Sequence, residues 1–131
     1  MKVYSVSISV GDQDKALDFY TRVLGFVKKD DLDLGGGARW LTLVSPEQPE
    51  GPLVLLEPNA EYPAMKTLKQ SLVKDGIAFT MFEVEDLEKE VSRLKSLDVE
   101  FTTPPTDGGK IVYAVFDDTC GNLINIFQKK V

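Results

Sequence analysis

Polar and apolar residues alternate from Val3 to Val10, the period of a strand with one buried face. Gly11-Asp12 ends the run. Asp12 has N-cap chemistry, and Asp14 adds negative charge to the first turn of the helix that follows. Ala16, Phe19, Tyr20, Val23 and Leu24 form one apolar stripe at helical spacing, and Gly25 stops it. Phe26 to Asp31 reads as a second strand, Gly35-Gly36-Gly37 as a turn, and Arg39 to Val44 as a third strand. The prolines between Ser45 and Pro52 predict a loop, and Leu53 to Glu57 a fourth strand that ends at Pro58. Tyr62-Pro63 opens a helix with Met65, Leu68, Leu72 and Val73 as its stripe and Gly76 as its stop. Ile77 to Val84 is a fifth strand. Asp86 caps a helix with Leu87, Val91, Leu94 and Leu97 on one side. A short strand over Val99–Thr102, a loop over Thr103–Gly109, and strands over Lys110–Phe116 and Leu123–Gln128 complete the chain.

The order is β-α-β-β-β, a linker helix, then β-α-β-β-β again, an α+β chain with an internal repeat. Val10-Gly11-Asp12-Gln13-Asp14-Lys15 matches Val84-Glu85-Asp86-Leu87-Glu88-Lys89 in strand end, cap, first-turn acid and lysine. Trp40 and Tyr113 fall at equivalent places in the third strand of each copy. Two copies are too few for a solenoid and suit a pseudo-twofold pair within one domain, 1–131. Module one covers about 1–60, the linker helix about 61–76, and module two about 77–131.

The last hairpin, Val112 to Phe127, holds the most unusual pattern. Gly121-Asn122 tolerates positive φ and lets the chain reverse. Asp117-Asp118 reads as turn chemistry, carboxylates bonded to backbone amides. Leu123, Asn125 and Phe127 then share one strand face. A lone amide between large apolar neighbours is either satisfied by backbone or water at a sheet edge, or contacts a ligand.

Composition narrows the chemistry. A chain of 131 residues with 43% apolar and 27% charged residues is a soluble globular domain with a proper core. A net charge of −6 without a basic patch argues against nucleic acid and anionic membranes as partners. The amino-terminal stretch alternates like a strand, unlike a signal peptide, and no run reaches membrane-spanning length. Cys120 is the only cysteine, so no internal disulfide forms and a reducing, cytoplasmic setting is expected. Histidine is absent, which removes the commonest transition-metal ligand and the commonest general base. An ordinary zinc site and a Ser-His-Asp or Cys-His nucleophile are thereby excluded.

Val10-Gly11-Asp12-Gln13-Asp14-Lys15-Ala16-Leu17-Asp18-Phe19-Tyr20, then Leu24-Gly25-Phe26, Arg39-Trp40-Leu41-Thr42 and Phe116-Asp117-Asp118 through Gly121-Asn122-Leu123-Ile124 carry a resemblance. Over nearly its whole length the chain resembles the vicinal oxygen chelate superfamily, the glyoxalase/bleomycin resistance/extradiol dioxygenase family. The resemblance implies tandem βαβββ modules with curved mixed sheets around a cleft, and a homodimer. It also implies metal-ligand positions on the first and last strands of each module. These fall on Ser5, on Phe79, on Asn125, and on Leu55, Leu56 or Glu57, where the register is open. Ser, Phe and Asn do not replace histidine or carboxylate as transition-metal ligands, so no metal and no cofactor is expected.

The candidate ligand-binding residues are therefore Ser5, Ser7, Trp40, Glu57, Phe79, Tyr113 and Asn125, with no catalytic residue assigned. Trp40 and Tyr113 either wall a ligand or pack between sheet and helix. Arg39, on the opposite strand face from Trp40, is an anion site if that face is the cleft and otherwise a surface residue. Phe19 and Tyr20 read as core, and Cys120 as an unactivated thiol. The leading expectation is a metal-independent protein that sequesters a small molecule in the cleft. The alternatives are a metal-free lyase or isomerase using Glu57 or a tyrosine, a divergent metal-dependent glyoxalase or dioxygenase, and a fold whose cleft is filled.

Overall fold

The computed structural model describes residues 1–131. Eight strands and three helices follow one another as β1 (Ser5–Ser9), α1 (Gln13–Asp18, continued by a π-helical turn over Phe19–Val23), β2 (Val27–Gly35), β3 (Ala38–Val44), β4 (Leu53–Glu57), α2 (Pro63–Lys74), β5 (Thr80–Glu83), α3 (Leu87–Ser96), β6 (Phe101–Asp107), β7 (Ile111–Asp117) and β8 (Leu123–Lys129). They form two four-stranded sheets of the same design, ordered β1-β4-β3-β2 and β5-β8-β7-β6. In each sheet the first strand pairs parallel with the fourth, and the remaining neighbours are antiparallel. The repeat legible in the sequence is thus a repeat of topology. The chain falls into two compact units, Met1–Met65 and Lys66–Val131, which divide within α2. No helix is long and apolar enough to cross a membrane.

In the first unit the stripe of α1 covers one sheet face. Tyr20, Leu41, Leu43 and Leu56 are wholly buried, with Ile8, Val10, Ala16 and Val23 around them. Each such large side chain contributes about 1.5–3 kcal/mol by leaving water. The Asp12 carboxylate accepts from Lys15 N at 3.0 Å, the cap that the sequence predicts. The helix then widens. Leu24 N donates to Phe19 O, five residues back, at 3.1 Å. Phe19 and Tyr20 meet edge to face at 5.6 Å, and Phe26 lies 6.4 Å from Tyr20. β2 continues past the predicted Asp31 to Gly35, with register shifts on either side of its central pairs.

The second unit repeats the cap: Asp86 accepts from Lys89 N at 3.1 Å, and Leu87, Val91 and Leu94 are buried beneath α3. Leu97 differs from expectation and is exposed, at the helix end. The predicted loop over Thr103–Gly109 is mostly strand, since β6 runs through Pro104-Pro105 to Asp107. It lies at the sheet edge, and its register to β7 jumps between Thr103 and Thr106. The prolines fall in that irregularity, where no ladder donor is required. α2 also corrects the sequence reading. Leu68 and Val73 of its expected stripe are exposed, and the buried residue is Lys69.

Candidate functional site: the helix-free faces of the two sheets

Arg39 settles which face of the first sheet carries the helix. Its guanidinium donates to both Asp31 carboxylate oxygens at 2.8 and 2.9 Å and to Asp14 of α1 at 2.7 Å. Arg39 is therefore on the helix side, and its charge is occupied by carboxylates, which raise its pKa further through hydrogen bonds to Asp31 and then Asp14. It is not an open anion site. Trp40, one residue on, points to the opposite, helix-free face.

Cross-strand register fills in the rest of that face. Ser5 pairs with Leu53, Ser7 with Leu55, and Ser9 with Glu57. Thr42 pairs with Leu55 on one side and Asp30 on the other, and Trp40 pairs with Leu32. Ser5, Ser7, Trp40 and Glu57 thus share one face, with Leu55 and Thr42 between them, while Leu56 turns to the helix core. The open register of β4 is resolved here. Val10 and Val84 are equivalent, so Ser7 opposite Leu55 corresponds to Met81 opposite Asn125. Leu55, not Glu57, is the counterpart of Asn125, and Glu57 is the counterpart of Phe127.

Phe79 precedes β5 and donates from its amide to Leu123 O at 3.3 Å. It continues the face that carries Met81, Asn125 and Phe127, and Tyr113 joins them by pairing with Phe127. Phe79 is 65% and Met81 52% exposed, large values for apolar side chains. Tyr113 and Trp40 are half-buried. The Asn125 side-chain oxygen is shielded and has no hydrogen-bond partner. No protein group holds the amide, so water or a ligand is what would satisfy it.

The turn joining β7 to β8 holds this face in place. Asp118 is fully buried. Its Oδ1 accepts from Cys120 N at 2.7 Å and Asn122 N at 3.0 Å, and its Oδ2 from Asn122 Nδ2 at 2.8 Å. The residues with positive φ are Thr119 and Gly121, where the sequence had suggested Gly121 and Asn122. Asp117 Oδ1 secures Thr119 by accepting from its amide at 2.7 Å. Lys69 closes the turn from α2, its Nζ donating to Cys120 O at 3.0 Å. Burial lowers the Lys69 pKa, and the charges of Asp118 and Cys120 oppose that shift. Sequence reading missed Lys69, because a lysine within a helix carries no sign that it will be buried against a turn 51 residues on.

No group of three or more His, Cys, Asp or Glu side chains is placed to hold a metal ion. At the positions the resemblance assigns to metal ligands stand a hydroxyl (Ser5), an alkyl group (Leu55), a ring (Phe79) and a neutral amide (Asn125). This donor set does not fit a divalent transition metal.

Two βαβββ units, each with a helix on one sheet face and mixed aromatic and polar side chains on the other, define a protein of paired-module, glyoxalase-like fold. The chain belongs to the Glyoxalase/Bleomycin resistance protein/Dioxygenase superfamily, whose family model matches residues 2–126. Protein YurT of Bacillus subtilis (strain 168) is 54% identical over 129 residues, covering 98% of this chain and all of that protein. The crystal structure of UcmS2 is similar with a TM-score of 0.81 and 29% identity, over 97% of both chains. TnmS3, an antibiotic binding protein from Streptomyces sp. CB03234, shares the fold with a TM-score of 0.76 at 23% identity, over 99% of this chain and 97% of that one.

Proposed function

We propose that the protein is a metal-independent binder of small organic molecules that acts by holding its ligand against a helix-free sheet face. The observation that carries this reading is the replacement of every family metal-ligand position by a side chain suited to organic contact, beside two half-buried flat rings, Trp40 and Tyr113. On the face of the first unit Trp40 supplies apolar contact and Ser5, Ser7 and Glu57 supply orientation; on the face of the second, Tyr113 and Asn125 take those parts. That TnmS3 is an antibiotic binding protein supports the reading to this extent: the fold accommodates such a role. A homodimer fits the same reading. β1 lies at a sheet edge, and Val3, Tyr4 and Val6 on and before it are exposed in the single chain, as side chains covered by a second copy would be.

The experiment has two parts. The purified protein is incubated with Mg, Mn, Fe, Ni and Zn salts, desalted, and its metal content measured. It is then screened against an organic library by Trp40 fluorescence, with and without chelator. The expected result is near-zero metal per chain and saturable quenching that chelator does not change. Stoichiometric metal with chelator-sensitive binding would refute metal independence, and turnover of a bound compound would replace sequestration with catalysis.

A further inference from the structure

The two sheets are not equally closed, and the difference lies at Trp40. In the second unit β7 and β8 stay in register over seven consecutive pairs, from Ile111–Lys129 to Asp117–Leu123. In the first unit β3 and β4 keep register only at Thr42–Leu55 and Leu43–Val54. Continued by one and two residues, the ladder would pair Leu41 with Leu56 and Trp40 with Glu57. Instead, a side chain stands between the strands. Gln13 Nε2 donates to Leu56 O at 3.0 Å and to Arg39 O at 3.4 Å, one carbonyl from each strand. The helix therefore satisfies backbone acceptors that the neighbouring strand leaves unpaired. On the other face of the same split stand the Trp40 indole and the Glu57 carboxylate.

The charges around the split are sorted. Arg39, the one cation at this end of β3, is on the helix side and held by Asp31 and Asp14. Asp30, on the helix-free side, accepts from the Thr42 hydroxyl at 3.0 Å. Glu57 enters no ion pair and no side-chain hydrogen bond; its parallel partner is Ser9, and Trp40, paired with Leu32, stands on the same face across the split, with no basic side chain among them. The equivalent row of the second unit is closed and carries Phe127 opposite Tyr113. A free carboxylate and an indole on one sheet face are the groups that together select an organic cation, through Coulombic attraction and cation–π contact.

We propose that the split between β3 and β4 is the seat of a protonated amine, its charge on the Glu57 carboxylate and its substituents against the Trp40 indole. This assignment rests on the binding function proposed above and narrows its ligand to amines attached to a flat apolar body. It also assigns the two units different tasks, with charge recognition confined to the first.

Trp40 is the only tryptophan, so its indole N–H gives a single, self-assigned NMR cross-peak. The probes are 2-naphthylmethylamine, the neutral 2-naphthylmethanol and the anionic 2-naphthoate, each titrated at pH 7 into wild-type protein and Glu57→Gln. The expected result is a saturable shift of the indole peak with the amine, at least tenfold tighter than with the alcohol, and a tenfold or greater loss of amine affinity in Glu57→Gln. Unchanged backbone peaks in β1 and β4 verify that the isosteric variant is folded. Equal affinity for amine and alcohol, an amine affinity unaffected by Glu57→Gln, or no saturable shift with the amine overturns the assignment. The binding function itself is decided separately by the library screen, so a library ligand that ignores Glu57 leaves that function standing while the amine seat falls.

Discussion

Asp117 and Asp118 are chemically identical neighbours in one turn, yet Asp118→Ala and Asp117→Ala are expected to differ severalfold in cost. Asp118 is wholly buried and accepts from two backbone amides and the Asn122 side-chain amide at 2.7–3.0 Å. Its removal strands those donors where water has little access, at about 1–3 kcal/mol for each group left unpaired. It also leaves the Lys69 ammonium with less opposing charge against its own desolvation. Because the donors are adjacent and relax together, the penalties do not sum, and about 3–5 kcal/mol is the expected loss. Asp117 accepts from the exposed Thr119 amide alone at 2.7 Å, and water replaces that contact. Its loss is expected to cost about 1 kcal/mol or less.

Urea unfolding followed by circular dichroism measures both variants. For a domain of ordinary stability, about 5–15 kcal/mol, Asp118→Ala removes a large fraction, lowering Tm by about 10–20 °C. The midpoint should fall while the denaturant slope stays at the wild-type value. An Asp118→Ala loss below about 1 kcal/mol, or equal losses for the two variants, would refute the view that burial rather than local turn geometry sets the strength of this anchor. The consequence for function is direct. The turn connects the strand carrying Tyr113 to the strand carrying Asn125, so a weakened turn loosens both sides of that face.

Three other outcomes follow from the same contacts. Asn125→Ala is expected to fold with a change of about 1 kcal/mol or less, since the side-chain oxygen has no partner to lose; a loss above about 3 kcal/mol by urea unfolding would mark a structural role instead. Lys69 has a folded pKa below the ordinary lysine value, so the unfolded chain binds more protons between the two values and stability gains from this group as pH rises through that window. Wild-type minus Lys69→Met stability should therefore increase as pH rises toward the ordinary lysine value of 10.5, and a flat difference would contradict the shift. Arg39→Met is expected to cost about 1–3 kcal/mol, because its bidentate pair with Asp31 is half-buried and linked to Asp14, and to leave ligand affinity unchanged; a selective loss of anionic ligands by isothermal titration would return Arg39 to the site.

What the sequence could reveal about this fold followed from local signals that repeat. Asp12 and Asp86 cap equivalent helices with the same bond to the third residue on, and each cap follows a short strand read as ending in valine, Val10 or Val84, so the duplication was visible without any tertiary information. The misreadings lie where tertiary context overrides a local rule. Pro104-Pro105 normally end a strand, but an edge strand with a register jump has no donor to supply there. Leu68 and Val73 have the spacing of a buried stripe, but α2 is placed by Lys69, whose amine reaches a carbonyl that only the folded turn presents. No pattern of hydrophobicity encodes a contact of that kind.

For the candidate site, alternation placed Trp40 and Arg39 on opposite faces, but it could not say which face the helix would take. One long-range interaction decides it: Arg39 reaches Asp14, 25 residues earlier, and so commits its own face to the helix and the indole to the other. The same reasoning fixes β4. Leu53 to Leu56 are apolar throughout, so periodicity leaves their facing undetermined, and only the antiparallel pairing of Thr42 with Leu55 sends Glu57 to the side of Trp40. The ionisable group at the centre of the proposed amine seat therefore owes its position to strand register, and a shift of β4 by one residue would bury Glu57 in the helix core. Such a shift is opposed by Leu56, wholly buried on that side, and by Gln13, which grips the Leu56 carbonyl. The contacts that stabilise the first module are in this way the ones that keep its carboxylate on the open face.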